Sequence, residues 1–352
     1  MGENFNLNSI IRENIKKLKP YSTARDEFKG QASIWLDANE NPFGSPLHHH
    51  YHRYPDPKQW KLKDKITQIK GVPPQNIILG NGSDEIIDLL YRAFCTPGKD
   101  NVIVMPPTYG IYEVSANIND IEVKKVPLTM GFQMDLDGIA EAIDENTKLI
   151  FICSPNNPTG NSLFREDVET LLANFKGIVV VDEAYINYSQ QKSFIQELTE
   201  YGNLFVSQTF SKAWGLAGLR LGMGFASEEI IEVLNSIKPP YNINQATQDL
   251  AFEALDNVSQ VNEWIQQTVL EREKLVKALV ELPFVQKIYP SDANFILVKM
   301  DNAHQVYLKL CEKGVILRDR SQVEQLEDCI RITVGTAQEN KELVRYLAEL
   351  AL

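Results

Sequence analysis

Short apolar runs that alternate with amphipathic helical segments dominate the middle of this 352-residue chain. The run NIILG (76–80) is followed by residues 83–94, in which Ile86, Leu90 and Phe94 recur at helical spacing. Further apolar runs occupy residues 101–107, 121–128, 148–155, 177–185 and 203–210. Strands that are apolar on both faces and alternate with helices are typical of a mostly parallel sheet covered by helices. The sequence therefore predicts an α/β fold, in which ligands bind at the carboxyl ends of the strands.

The C-terminal part of the chain has a different pattern. Residues 245–281 indicate one long helical stretch, after which the strands FILVKM (295–300) and CIRITVG (329–335) flank a helix at 303–314. This pattern predicts a second, smaller α/β domain, and the chain length is also typical of about two domains. We expect an N-terminal arm that is part of the small domain at 1–30, a large ligand-binding domain at 31–260 and a small C-terminal domain at 261–352.

Two of the predicted strands are followed by groups that suit an anion or a flat ring. NGSDE (81–85) follows the first strand, where Ser83 or Asp84 can cap the next helix, whose N-terminal N–H groups can bind an anion. Tyr109 follows the strand at 101–107 and could stack on an aromatic ring. Taken singly, the first segment is better explained as a capped turn, and Tyr109 is better explained by packing.

The next two strand ends supply an amide and a carboxylate. NNPTG (156–160) forms a tight turn that would direct the amide of Asn157 toward the strand ends, although turn chemistry alone also explains the segment. Asp182 ends a run that should be buried. A buried carboxylate needs a partner, either an arginine or a cationic ring nitrogen of a ligand. Tyr185 is close enough in sequence to share that site.

The segment FSKAWGLAGLRLG (210–222) places a lysine among small residues after the fifth strand. Thr209 and Ser211 offer hydroxyls, and Arg220 offers a fork of donors that suits a phosphate. Burial and nearby cations would lower the pKa of the Lys212 amine, and a neutral amine can form a Schiff base. A single lysine of this kind is usually a surface residue, but five strand ends with suitable groups favour a functional site.

One ligand would use all of these groups. It is an aromatic aldehyde that carries a phosphate, a phenolic oxygen and a ring nitrogen. Pyridoxal 5'-phosphate has this chemistry, and proteins hold it through a lysine Schiff base with an acidic partner on the pyridine nitrogen. The chain contains neither a Walker loop nor a GxGxxG motif, so the usual nucleotide-binding motifs are absent.

The order of these residues resembles that of the fold-type I aminotransferases, a class-II pyridoxal-phosphate-dependent family, over nearly the whole chain. Within that family the chain is most similar to the histidinol-phosphate aminotransferases. The segments that carry this closer resemblance are LKPYSTARDE (18–27), WLDANENPFG (35–44), HRYPDP (52–57), GVILRDR (314–320) and LEDCIRITVGT (326–336). The resemblance implies reversible transamination of L-histidinol phosphate with 2-oxoglutarate, which gives imidazole-acetol phosphate and glutamate, in histidine biosynthesis.

The resemblance also implies roles for individual residues. Lys212 would form the Schiff base and move the proton, Asp182 would pair with the protonated pyridine nitrogen, and Tyr185 would complete the catalytic group. Tyr185 and Asn157 would contact the phenolic oxygen, while Tyr109 would stack on the ring. The residues expected around the cofactor phosphate are Ser83, Asp84, Thr209, Ser211, Arg220 and, from the neighbouring subunit, Tyr54. The last contact implies a homodimer with shared active sites.

The substrate-binding positions that the resemblance implies are Tyr21, Asn39, Arg318 and Arg331. One pocket would have to accept both a dicarboxylate and a phosphate monoester, and arginines could serve both anions. How Arg318 and Arg331 divide these anions stays open. An aromatic amino-acid aminotransferase or a threonine-phosphate decarboxylase would use the same cofactor residues, so both remain alternatives. A non-catalytic ligand sensor would usually carry an additional DNA-binding domain, for which the chain has no basic segment.

The composition argues against other classes of protein. A net charge of −12 disfavours nucleic-acid binding, and no apolar run approaches the length of a membrane span. The first residues do not resemble a secretory signal, so we expect a cytoplasmic protein. The four cysteines are too far apart for a zinc motif or a disulfide framework. His48, His49, His50 and His52 are adjacent and cannot all face one ion, so we expect no metal site.

Overall fold

The computed structural model describes residues 5–21, 24, 28, 30, 32–47 and 49–350. Its largest element is a seven-stranded sheet with the strand order β1-β7-β6-β5-β4-β2-β3. The strands are β1 (Ile77–Asn81), β2 (Asn101–Val104), β3 (Glu122–Lys125), β4 (Thr147–Cys153), β5 (Ile178–Asp182), β6 (Leu204–Thr209) and β7 (Leu221–Phe225). Only β7 runs antiparallel to its neighbours. The carboxyl ends of β1, β2, β4, β5 and β6 therefore lie at the same edge, as the predicted parallel sheet requires.

Helices cover both faces of this sheet. The helices in the described part of the chain, which include those that pack on a second sheet, are α1 (Leu7–Ile10), α2 (Glu13–Lys16), α3 (Trp60–Lys70), α4 (Gly82–Phe94), α5 (Ile111–Ile118), α6 (Leu136–Ala142), α7 (Arg165–Asn174), α8 (Glu228–Ile237), α9 (Gln245–Ala254), α10 (Val258–Val280), α11 (Ala303–Glu312) and α12 (Ala337–Leu350). Val179 and Val181 of β5 pack into one core with α3, α7 and α9. Ile178 and Val180 pack into the other core with α4, α5 and α8. The continuous apolar runs are thus explained by burial on both sides, and the predicted α/β class is confirmed.

The strand β7 was absent from the sequence prediction because its segment LGMGF carries two glycines, which weaken a strand pattern. Close packing explains both glycines. A Cβ at Gly222 would lie 2.4 Å from the backbone nitrogen of Ser83, and a Cβ at Gly224 would lie 2.4 Å from the Phe205 ring. β7 therefore lies directly against the first turn of α4. This contact places Arg220, at the end of the loop before β7, next to the N-terminus of α4.

A second sheet of four antiparallel strands has the order β10-β11-β9-β8. Its strands are β8 (Val285–Ile288), β9 (Phe295–Met300), β10 (Arg318–Asp319) and β11 (Cys329–Thr333). Residues of α10, α11 and α12 pack with β9 and β11 in a core of their own. The smaller α/β unit expected in this part of the chain is therefore present, whereas the domain boundary near residue 260 remains a prediction.

Two parts of the chain differ from expectation. The helical stretch 245–281 is divided into α9 and α10 by a 3-10 turn at Leu255–Asn257, because Ala251 packs on the large sheet while Leu275 and Leu279 pack on the small one. The N-terminal segment was expected to accompany the small domain. In the described part of this segment, Ile10 packs in the core of the large sheet. The N–H of Arg12 also donates to the Ala93 carbonyl at 3.1 Å.

Among the described residues, no helix combines the length and the apolar character that crossing a membrane requires. The four cysteines are free, and Cys95, Cys153 and Cys329 are buried. The histidine run carries ring contacts between His49 and Tyr51 and between His50 and His52, and His48 lies outside the described residues.

Candidate functional site

A cavity of about 700 Å³ lies at the carboxyl ends of the large-sheet strands and extends to β10 and β11 of the small sheet. Its volume falls in the range of roughly 300–1,000 Å³ that is usual for small-molecule sites. The predicted site residues that line it are Ser83, Asp84, Tyr109, Asn157, Asp182, Tyr185, Thr209, Ser211, Lys212, Arg220, Arg318 and Arg331. Segments that are far apart in sequence meet here because parallel strands end at one edge of the sheet.

Asp182 is the last residue of β5 and is only 3% exposed. Its Oδ2 accepts a hydrogen bond from the Tyr112 hydroxyl at 2.7 Å, and its Oδ1 accepts one from the Ala184 N–H at 3.1 Å. Burial raises the pKa of Asp182, while the hydrogen bond from Tyr112 opposes that shift. The carboxylate is thus oriented by two donors, yet it has no cationic partner among the described residues, which suits it to a cationic group of a ligand.

An amide, a phenol and a guanidinium form a second polar group in the cavity. The Asn157 side-chain N–H donates to the Tyr185 hydroxyl at 3.3 Å, and the Asn157 carbonyl oxygen accepts from Arg331. The Tyr185 ring makes an edge contact with Phe295 at 5.1 Å between centroids. Burial raises the pKa of the Tyr185 phenol, so it stays protonated and can donate a hydrogen bond to an oxygen of a ligand.

Lys212 lines the same cavity, with its Nζ 5.5 Å from the centroid of the Tyr185 ring. The residue is exposed because it extends from a loop into the open cavity, but the residues around the cavity partly desolvate its amine, as expected. Its pKa is nevertheless lowered, first by desolvation and then by the charge of Arg331. Asp182 and Asp84 act in the opposite direction. A lowered amine pKa increases the fraction of neutral amine, the form that acts as a nucleophile or base.

Donors suited to an anion surround the N-terminus of α4. Arg220 Nη2 lies 3.4 Å from Asp84 Oδ2, and Arg220 Nη1 lies 3.5 Å from the Ser211 hydroxyl. Thr209 accepts from the Ser211 N–H at 3.0 Å. Gly82 has a φ of 73°, and a Cβ there would lie 2.7 Å from Arg220 Nη2, so only glycine allows this approach. Helix N–H groups, hydroxyls and a guanidinium in this arrangement are groups that could bind an anion such as a phosphate.

Tyr109 closes one side of this region. Its hydroxyl donates to Asp84 Oδ1 at 3.2 Å, and its ring makes an edge contact with Tyr112 at 5.6 Å between centroids. Burial and the Asp84 carboxylate raise the pKa of the Tyr109 phenol. The ring is therefore held in one orientation beside the cavity, as a stacking residue requires.

Tyr54, Asn39 and Tyr21 do not line this cavity. Tyr54 is 49% exposed and stacks on Tyr241 at 4.5 Å between centroids, and both Tyr54 and Asn39 face a separate surface cavity. Tyr21 is 76% exposed. All three precede β1 on segments that stay away from the strand ends of their own chain, so their predicted roles in substrate or phosphate binding stay predictions. Among the described residues, no cluster of three or more metal-binding side chains occurs.

Sequence reasoning missed two residues that belong to the site. Tyr112, in the first turn of α5, does not line the cavity but orients Asp182 from behind it through its hydroxyl, and no local pattern in the sequence indicated this contact. Arg320 lines the cavity beside Arg318 and Arg331. Its signal was its spacing of two residues from Arg318, which places both side chains on the same face of a strand.

Comparisons with known proteins agree with this arrangement. A family model described as aminotransferase class I and II matches residues 30–347. A curated histidinol-phosphate aminotransferase from Parabacteroides distasonis is 52% identical over 346 residues, which cover 98% of this chain and 99% of that protein. One from Cytophaga hutchinsonii is 54% identical over 343 residues, which cover 97% and 99% of the two chains.

A solved structure has the same fold. The crystal structure of histidinol-phosphate aminotransferase from Sinorhizobium meliloti in complex with pyridoxal-5'-phosphate superposes with a TM-score of 0.80 at 25% identity, covering 89% of each chain. The geometry of the cavity and the comparisons with known proteins therefore indicate the same family. A buried carboxylate, a lysine and a group of donors suited to an anion share one cavity, and the family model spans most of the sequence. The chain belongs to the class I and II aminotransferase family.

Proposed function

We propose that this protein is a pyridoxal-phosphate-dependent aminotransferase that converts L-histidinol phosphate and 2-oxoglutarate reversibly into imidazole-acetol phosphate and glutamate, in histidine biosynthesis. The observation that carries the proposal is that one cavity joins Lys212 and Asp182 to the arginines Arg318 and Arg331, which form no ion pair with any residue that the structure describes. The full-length relatives at 52% and 54% identity are named histidinol-phosphate aminotransferases, which supports the same substrate.

The residues present fit pyridoxal phosphate. Asp182 offers a buried carboxylate without a cationic partner, which suits a protonated pyridine nitrogen. Arg220, Ser211 and the N-terminus of α4 suit the phosphate. Tyr185 and Asn157 suit the phenolic oxygen, and Lys212 suits the aldehyde carbon. When bound, the cofactor supplies an electron sink for the charge that develops on the substrate carbon.

Individual residues of the protein then have separate roles in the reaction. Asp182, held by Tyr112 and the Ala184 N–H, keeps its negative charge directed at the cofactor ring. Lys212 takes the proton from the substrate carbon that bears the amino group and later returns a proton, because its lowered pKa provides neutral amine. Arg331 contacts Asn157 and therefore places a substrate anion beside the same polar group that contains Tyr185.

A substrate panel tests the proposal. We expect kcat/KM with 2-oxoglutarate to be at least about tenfold higher for histidinol phosphate than for phenylalanine, because the single carboxylate of phenylalanine supplies less negative charge than a phosphate to a cavity lined by several arginines. Threonine phosphate should be neither transaminated efficiently nor decarboxylated. The assay measures glutamate and carbon dioxide for each substrate. Equal or faster turnover of phenylalanine would favour an aromatic aminotransferase, and carbon dioxide released from threonine phosphate would favour the decarboxylase.

We also propose that the enzyme is a homodimer in which Tyr54 of each chain reaches the cofactor phosphate of its partner. The support is that Tyr54 lies outside the cavity of its own chain, on a segment with strongly exposed apolar side chains. Phe43 is 97% exposed and Leu36 is 88% exposed. Exposed apolar groups of this kind are typical of a protein–protein interface.

Light scattering after size-exclusion chromatography should therefore give twice the chain mass of 39.9 kDa. Replacing Phe43 and Leu36 by serine should shift the protein toward the monomer, because the interface loses apolar area. Met130→Ser is the matched control, since Met130 is 88% exposed elsewhere on the surface. A wild-type protein that is monomeric at micromolar concentration would rule out the shared site.

The proposed location is the cytoplasm. Four free cysteines, three of them buried, suit a reducing compartment. Fractionation of cells that produce the protein at its natural level should place it with cytoplasmic markers, and recovery with an exported fraction would contradict this location.

A further inference from the structure

Three arginines lie on one face of the hairpin formed by β10 and β11. Arg318 and Arg331 are directly paired across the two antiparallel strands. The N–H of Arg320 donates to the Cys329 carbonyl at 2.9 Å, which continues the same register by two residues. Residues two apart on a strand point to the same face, so Arg320 lies on the face of Arg318 and Arg331. All three line the cavity.

These charges repel one another, because like charges directly opposite in an antiparallel pair are destabilising. None of the three guanidinium groups forms a salt bridge in the described part of the chain. The nearby carboxylate of Asp319 points to the opposite face, where it contacts His304 Nδ1 at 2.7 Å and accepts from the Ser321 N–H at 2.8 Å. The described part of the chain therefore holds three positive charges together and supplies no carboxylate that forms a salt bridge with them.

Arg320 is half-buried and its Nε is a buried donor without a hydrogen-bond partner. Desolvation lowers the pKa of Arg320, and the charges of Arg331 and Arg318 lower it further. Arg331 is already bonded to Asn157, whereas Arg320 Nε has no acceptor among the residues that the structure describes. A partly buried guanidinium with an unsatisfied donor is costly, and an anion in the cavity would reduce that cost.

We propose that Arg320 is a specificity-determining residue that, together with Arg318 and Arg331, forms a subsite for the doubly charged phosphate of the substrate. The proposal rests on the proposed function and adds to it a residue that binds the phosphate rather than the carboxylate. A carboxylate carries one charge and is satisfied by the fork of a single arginine. A phosphate monoester carries nearly two charges and three acceptor oxygens, so it can use further guanidinium groups.

Matched variants isolate this role. Arg320→Gln removes the charge, Arg320→Lys keeps the charge without the fork, and Lys313→Gln removes an exposed positive charge that does not line the cavity. The cofactor-loaded protein is titrated with histidinol phosphate and with glutamate, and binding is followed by the visible absorbance of the cofactor. Inorganic phosphate is added as a competitor, and thermal unfolding checks that each variant is folded.

We expect Arg320→Gln to weaken binding of histidinol phosphate and of inorganic phosphate about 10- to 100-fold, the effect of losing a hydrogen bond between charged groups. Glutamate binding should change by less than about threefold, since loss of a more distant charge is screened by salt. Arg320→Lys should restore part of the phosphate affinity. Lys313→Gln should resemble the wild type.

Equal losses for glutamate and histidinol phosphate, or no loss for either, would overturn the subsite. Its failure is distinguishable from failure of the proposed function. A protein that transaminates histidinol phosphate and binds it equally well after Arg320→Gln contradicts the subsite alone. A protein that binds inorganic phosphate through Arg320 but does not transaminate histidinol phosphate contradicts the proposed function and supports the subsite.

Discussion

Replacing Lys212 by alanine is expected to reduce transamination by about four orders of magnitude or more. Loss of a general acid–base group alone costs about 10²–10⁴-fold, and the amine that would bond the cofactor is lost as well. Lys212 is exposed on a loop beside the cavity, so its truncation removes no core packing and the fold should persist. Single-turnover kinetics with saturating histidinol phosphate measures the loss.

Chemical trapping provides an independent readout for Lys212. Borohydride treatment of the wild type should attach the cofactor to Lys212, as located by mass spectrometry, and Lys212→Ala should carry no adduct. Lys192→Ala removes another exposed lysine and serves as the control, since Lys192 does not line the cavity. An adduct on a different lysine, or turnover of Lys212→Ala close to the wild type, would contradict the assignment.

Asp182→Asn should give the second largest loss, about 10²–10³-fold in turnover together with weaker cofactor binding. An amide has nearly the same shape but no charge, so it cannot stabilise a protonated ring nitrogen in this buried position. Removing one partner of a buried ion pair costs about 3–5 kcal/mol. Turnover and the dissociation constant of pyridoxal phosphate, measured by absorbance, report the two effects separately.

Tyr112→Phe is the matched comparison for Asp182→Asn. It keeps the carboxylate and removes only the hydrogen bond of 2.7 Å that orients it, so the expected loss is about tenfold or less. Both variants alter the same buried contact and change the side-chain volume only slightly. We therefore expect similar stabilities, so that a difference in rate between them reports the charge of Asp182. If Asp182→Asn were as active as Tyr112→Phe, the charge of Asp182 would have no role in the reaction.

The residues found from sequence share a property, which is their position directly after a predicted strand. Asp182, Lys212 and Asn157 could be assigned to one site because parallel strands end at the same edge of a sheet. That inference needed only the order of the apolar runs, because a strand that is buried on both faces appears in the sequence as a continuous apolar run. In the structure, β5 pairs with β4 on one side and with β6 on the other, so the carboxyl ends of these strands lie together as expected.

The residues missed from sequence depend on register and on packing between elements. β7 was not predicted because glycines that permit close contact also remove the strand pattern, and it is β7 that carries the chain from Arg220 past the α4 N-terminus. Tyr112 reaches Asp182 only through the placement of α5. Arg320 lies just after β10, and its place beside Arg331 follows only from the pairing of β10 with β11.

Sequence alone determined the α/β class, the edge of the sheet where the site lies and the chemical groups that strand ends supply, because these follow from local periodicity and chain order. Tertiary structure alone decided which side chains share the cavity, how Asp182 is oriented, that Lys212 extends into the cavity from an exposed loop, and that three arginines gather without a salt bridge to any described residue. Distances between side chains and the burial that shifts their pKa values depend on contacts between residues far apart in sequence, which no local pattern contains.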